Sequence, residues 1–280
     1  MAIEYDEIGI WSEVKLAIIK EYASAYTTIL EAQRREKLRS LKWLYVDAYA
    51  GPGYHLSKAS GNRVEGSPLI ALNTSPPFAE YHFIDTEPKR AEQLRTLAGN
   101  RPDVFTYSED CNTVLLRDVF PRAKFSDYHR ALCLLDPYNI DLTWEVIEAA
   151  GKSGSIDIFL NFMIMDINRN AMRRDPGRSV PSKMHQLTRF WGDETWRDVG
   201  YATDHDLLGP RTEKVSNEEF AEAFRQRLKT KAGFANVPPP MPMKTKSNST
   251  IYYLYFASPK AVASGIVRDI FAKYQRQQGL

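Results

Sequence analysis

The sequence predicts a doubly wound α/β fold, and three observations carry the prediction. Short, mostly apolar runs recur along the first 162 residues, at Trp43–Val46, Tyr81–Ile84, Asp103–Tyr107, Arg130–Leu135 and Ile156–Phe162. Runs of this length and β-branched or aromatic content read as strands buried on both faces of a parallel sheet. Segments with apolar residues at helical spacing separate them, so the chain reads as successive βαβ units. Right-handed crossovers then place helices on both faces. Four of the strands also end on or next to an acid: Asp47, Asp85, Asp110 and Asp136. Ligands of open α/β sheets bind at that end of the strands.

From Trp11 to Arg35, the positions Val14, Ile18, Ile19, Tyr22, Tyr26, Ile29 and Leu30 give an amphipathic helix within an N-terminal segment 1–40. Trp43 to Asp47 is the first strand, and Ala48-Tyr49-Ala50-Gly51-Pro52-Gly53 is a glycine loop able to turn sharply and approach a ligand. Residues Tyr54 to Gly66 read as a long polar loop, followed by a helix with Ser67 as N-cap and Pro68 in its first turn. A helix opens at Pro88 and stops at Gly99, and another follows Asp110 and Cys111. Beyond Asp166 the βα rhythm breaks into an arginine-rich stretch and short helices, read as a helical insertion over 166–233. A proline- and methionine-rich segment, Val237–Met243, and the apolar run Ile251–Ala257 suggest a closing antiparallel pair, hence a mostly parallel sheet with an antiparallel terminal strand, and a helix over Lys260–Gln277 ends the chain. No composition shift divides the 280 residues, so one domain is expected.

Composition narrows the function. The chain is 43% hydrophobic and 26% charged with a net charge of +2, which fits a protein with a substantial core and no global attraction to nucleic acid. The two cysteines, Cys111 and Cys133, sit in apolar surroundings and point to a reducing compartment, and no metal-ligand spacing occurs. The acidic start, from Met1 to Glu7, lacks the apolar stretch of a leader, and no run is long enough to span a bilayer. A cytoplasmic protein without membrane contact is expected.

Neither G-x-G-x-x-G nor G-x-x-x-x-G-K-[ST] is present, which disfavours a dinucleotide or P-loop site. What stands after the first strand is D-x-Y-x-G-x-G, formed by Asp47, Tyr49, Gly51 and Gly53. It resembles the first motif of the S-adenosylmethionine-dependent methyltransferases, D-x-F-x-G-x-G, and implies their Rossmann-like sheet and cofactor. For that cofactor, Asp85, with Glu87 second, suits the ribose hydroxyls, Asp110 suits the adenine amino group, and the Cys111 amide suits the adjacent ring nitrogen. The alternative for each acid is a helix cap or a solvated loop residue.

Asp136-Pro137-Tyr138 resembles the D-P-P-Y element of adenine amino-methyltransferases without its second proline. The resemblance implies a carboxylate that accepts from an exocyclic amine and a ring that stacks on the base; the alternative is a simple chain turn. Lys15 on the first helix matches a lysine that pairs with the cofactor carboxylate in some of these enzymes, or else is a solvated lysine. Arg169 and Arg173 offer phosphate contacts or ordinary surface charge.

Taken along nearly its full length, the chain resembles the three-Cys-motif partner proteins, a bacterial family with a methyltransferase-like fold. The matching stretches include Trp11–Lys15, Tyr45–Gly53, Gly66–Leu69, Phe83–Asp85, Leu134–Pro137, Asn161–Phe162 through Asn168–Arg169, and Tyr252–Ser258. The resemblance implies S-adenosylmethionine as cofactor and a radical-S-adenosylmethionine-like protein with three cysteines as partner. Two functions follow as expectations: methylation of an amino group on a nucleobase of DNA or RNA, or a non-catalytic partner that keeps the fold.

Overall fold

The computed structural model describes residues 6–206, 209–245 and 247–277, with backbone alone for 203–206 and 209–212. The first five residues, which carry much of the expectation about a leader, lie outside the described residues. In chain order the elements are β1 (Asp6–Ile8), α1 (Ile10–Glu36), β2 (Lys42–Asp47), β3 (Tyr54–Ser57), β4 (Arg63–Glu65), α2 (Ser67–Leu72), β5 (Glu80–Ile84) and α3 (Pro88–Ala98). Then come β6 (Val104–Tyr107), α4 (Cys111–Val114), β7 (His129–Leu135), α5 (Trp144–Ser153), β8 (Ile156–Phe162) and α6 (Ile164–Asp166). The last part holds α7 (Pro181–Trp191), α8 (Trp196–Gly200), β9 (Tyr201–Asp206), β10 (Gly209–Lys214), α9 (Asn217–Thr230), β11 (Met241–Lys244), β12 (Thr250–Ala257) and α10 (Ala261–Gln277).

Seven strands form the main sheet in the order β11-β12-β8-β7-β2-β5-β6. The five strands from β8 to β6 are parallel, and β12 runs antiparallel to both β8 and β11. This is the doubly wound, mostly parallel sheet the sequence predicts, with the antiparallel strand inserted between β8 and β11. Alternation along the strands sorts the core into two faces. Leu44, Val46, Ala131, Cys133 and Leu135 pack with α5, α7 and α9 through Val146, Ile147, Phe190 and Phe224. Trp43, Tyr45, Leu132 and Leu134 pack with α1 and α10 through Ile18, Ile19, Tyr22, Val267 and Phe271. Stacking of Phe162 on Phe224, ring centroids 4.7 Å apart, ties the insertion to β8.

Three expectations need correction. Residues Tyr54 to Gly66 do not form a loop. They form the hairpin β3–β4, and β1 adds in parallel to β3 to make a separate three-stranded sheet. Gly61, at φ 70°, lies between its two strands. Ser67 is the first helical residue of α2, and Gly66 occupies the cap without a side-chain bond. The insertion is also not wholly helical, because β9 and β10 pair antiparallel within it.

Candidate functional site

The chain begins its main sheet at β2, builds outward through β5 and β6, then returns to lay β7 on the other side of β2. The carboxyl ends of β2 and β7 therefore flank the point where the strand order reverses, the usual place for a ligand crevice in such sheets. A cavity of about 800 Å³ opens there. Its floor comes from Asp47, the loop residues Tyr49 to Gly51, and Asp136 to Tyr138; α1 contributes Trp11 and Lys15, and the β1 strand with Gly9 forms one wall. Apolar Leu16, Ile19, Phe159 and Leu254 complete the interior, an apolar cleft with a few convergent polar groups.

The loop is held by its neighbours on both sides. The Ala48 N–H donates to the Leu134 carbonyl at 3.0 Å, and the Ala50 N–H to Ile84 at 2.9 Å. Gly51 and Gly53 adopt φ of 65° and 84°, where a side chain is strained, and a Cβ on Gly53 would meet Leu97 at 2.5 Å. Asp85 completes the support. Its Oδ2 accepts from the Gly51 N–H at 3.0 Å and its Oδ1 from the Glu87 N–H at 2.8 Å. Arg90 sits 3.8 Å from Asp85, and also pairs with Asp6 at 3.0 Å and Glu87 at 3.2 Å, joining β1 to this corner.

Inside the cavity, the Lys15 ammonium pairs with Asp136 Oδ2, and the Asn161 carboxamide donates to Asp136 Oδ1. Asp47 is buried to 1% exposure; that burial pushes its carboxyl up to about 7, against the nearby Ser67 side chain and the Tyr49 N–H, which donates to its Oδ1 at 3.4 Å. Five buried atoms of the cavity residues have no hydrogen-bond partner: Asp6 Oδ2, which faces the Arg90 guanidinium at 3.0 Å, Asp47 Oδ2, Tyr49 Oη, His55 Nδ1 and Asn161 Oδ1. Buried polar groups in native proteins are nearly always paired, so unpaired ones converging on one cavity mark where a polar ligand or water would bind.

The structure thus gathers Lys15, Asp47, Tyr49, Gly51, Asp136, Pro137 and Tyr138 around one space. Asp85 and Gly53 stand behind the loop. Asp110 caps α4, accepting from the Thr113 N–H at 3.1 Å, and Cys111 is buried with its thiol pushed up to about 11, mainly by burial. Both follow β6, the edge strand two places from β2, and lie outside the cavity lining. Arg169 and Arg173 lie beyond β8 and also outside it, where the Arg173 Nε donates to the Arg169 carbonyl at 2.7 Å. Sequence reasoning misses Asn161, His55 and Arg90 as site residues. Asn161 offers one signal, a carboxamide within an otherwise apolar strand end; the other two reach the site through contacts with the β1–β3–β4 sheet, which local patterns do not reveal.

Among the described residues no group of three or more His, Cys, Asp or Glu side chains is placed to hold a metal ion. No described helix is long and apolar enough to cross a membrane.

No protein-family model matches the chain, and no curated protein does either. Among solved structures, it is similar to a Legionella pneumophila protein of the DUF519 family, at 13% identity over 78% of this chain and 92% of that one, with a TM-score of 0.40. It is similar to the DszA carbon methyltransferase at 14% identity over 85% of this chain, but spans only 52% of that protein, with a TM-score of 0.41. A Thermobifida fusca protein with a provisional methyltransferase assignment aligns at 15% identity over 89% of this chain and 80% of its own, with a TM-score of 0.42. At these values the likenesses carry no statement about activity.

Proposed function

We propose that this chain is an S-adenosylmethionine-dependent methyltransferase that acts on an amino group, with a nucleobase in DNA or RNA as the acceptor. The observation that supports it most is the convergence of Lys15, Asp47 and Asp136 on one cavity at the β2/β7 switch point, with Asp47 Oδ2 and Asn161 Oδ1 buried and unpartnered there. The donor set fits a ligand with both anionic and cationic groups, which S-adenosylmethionine is. When bound, that cofactor supplies an activated methyl group on a sulfonium.

The chain's residues divide the remaining work. Lys15 holds a carboxylate, and Asp47 faces cationic groups. Asp85 fixes the Gly51 loop, and with Asp110 and the Cys111 amide it takes the ribose and adenine end. Asp136 accepts a hydrogen bond from the acceptor amine and orients its lone pair. This is catalysis mainly by positioning. Tyr138, 66% exposed at the cavity mouth, offers a ring on which a planar base can stack. Arg169 and Arg173, on the segment that follows β8, would meet the backbone phosphates of the acceptor.

The test is transfer of labelled methyl from S-adenosylmethionine to duplex DNA, single-stranded DNA and RNA, with Asp136→Ala as control. Transfer by the native protein that falls at least 100-fold in the variant supports the reading. Cofactor binding without transfer to any nucleic acid would favour the non-catalytic partner of a three-cysteine radical-S-adenosylmethionine-like protein.

A further inference from the structure

Lys15 is held at both ends: its backbone belongs to α1, and its ammonium pairs with Asp136 and lies 5.9 Å from the Tyr252 ring centroid. Its neighbours Leu16, Ile18 and Ile19 are buried in the core and anchor α1, whereas the Lys15 charge sits at the end of a flexible four-carbon stem. Among the described residues its one ion-pair partner is Asp136, 121 residues away. Asp136 has a second anchor, because Asn161 Nδ2 donates to its other oxygen and holds the carboxylate where it is. The Asn161 Oδ1 left over is buried and without a partner.

We propose that the Lys15–Asp136 pair is a latch that makes the cofactor bind before the acceptor, an inference that rests on the function proposed above. In the free protein Lys15 covers Asp136 Oδ2. A cofactor carboxylate offers Lys15 a replacement anion, so the ammonium, on a side chain only 13% exposed, can leave Asp136 without becoming an unpaired charge. Asp136 stays on Asn161, and its released Oδ2, together with the unpartnered Asn161 Oδ1, gives the site two acceptors. An amino group brings two N–H donors to satisfy both; a hydroxyl brings one and leaves an acceptor unpaired, which is unfavourable at the buried Asn161 Oδ1. The latch therefore sets order of binding and preference for amines together. The coupling is reciprocal, so whatever weakens the Lys15–Asp136 pair must strengthen binding of the carboxylate-bearing ligand.

The experiment is calorimetric titration of S-adenosylhomocysteine and of its decarboxylated analogue, which keeps the amine, into the native protein, Asp136→Asn, Lys15→Met and the double variant. Thermal melts check that each is folded. Asp136→Asn is expected to bind S-adenosylhomocysteine roughly 5-fold tighter or more, with the decarboxylated analogue changed less than about twofold. Lys15→Met should bring the two ligands to similar affinity and abolish the gain in the double variant. An Asp136→Asn protein that binds S-adenosylhomocysteine no better than native, or that shifts both ligands alike, overturns the latch. So does a Lys15→Met variant with native affinity. If the native protein binds neither ligand, the proposed function itself fails, a result distinct from native binding that ignores these substitutions.

Discussion

The Gly51 N–H points at the Asp85 carboxylate, 3.0 Å from Oδ2, so the glycine loop after β2 and the acid after β5 are one mechanical unit. The same carboxylate receives the Glu87 N–H at the start of α3. Asp85→Ala should therefore release two backbone donors and destabilise the fold by about 1–3 kcal/mol, while weakening any ligand held by the loop. Asp85→Asn keeps one acceptor oxygen and should lose less on both counts. Denaturant melts and ligand titrations of the two variants check this; an Asp85→Ala protein with native stability would show that the loop is held by other means.

Asp47 gives a pH signature. Its folded carboxyl stands at about 7 because it is buried, against an ordinary value near 4 in the unfolded chain. Between those values the folded state holds the proton more tightly, so this residue's contribution to stability is full below about pH 4 and is lost as pH rises through 7. Asp47→Asn removes the ionisation and should be more stable than native at pH 8, by up to a few kcal/mol, with the advantage shrinking toward pH 4. His82 acts in the opposite direction: burial brings it down to about 4, so its contribution is lost as pH falls from about 6.5 through 4. Melting Asp47→Asn beside the native protein across pH 4 to 8 isolates the Asp47 effect, because His82 is common to both. A gap that does not change with pH contradicts the assignment.

Gly151 lies inside α5, where alanine ordinarily favours a helix by up to about 1 kcal/mol. Here a Cβ would stand 2.1 Å from the Ala232 carbonyl oxygen, a backbone atom on the segment after α9. Gly151→Ala should reverse the usual sign and cost about 1–3 kcal/mol as the insertion is pushed off the sheet. Chemical denaturation decides it, and a stabilised variant would contradict the packing.

Tyr138 is expected to touch the acceptor and not the cofactor. Tyr138→Ala should raise KM for a nucleic-acid acceptor about tenfold and leave S-adenosylhomocysteine affinity unchanged, whereas Tyr138→Phe keeps the stacking face. Equal losses for both ligands would instead place the ring on the cofactor side.

Much of the fold is legible because burial on both faces writes itself into short apolar runs: Trp43–Val46 and Ile156–Phe162 are read directly as strands and found buried as such. The small sheet is not legible. Its strands have three or four residues, and β1 pairs with β3 almost fifty positions further on, a contact no local pattern encodes. The site divides in the same way. Strand-end acids can be counted from sequence, yet Asp47 and Asp136 enter the cavity while Asp110 turns back to cap its own helix. That difference depends on side-chain direction at each turn. Lys15 and Asp136 are separately visible as candidates for two different ligands; only the packing of α1 across the sheet end makes them partners.

The most direct test of the central claim is calorimetric titration of the purified protein with S-adenosylmethionine and S-adenosylhomocysteine. The account predicts one site per chain with micromolar affinity, weakened by Lys15→Met. No heat of binding from a folded protein with either ligand would contradict it.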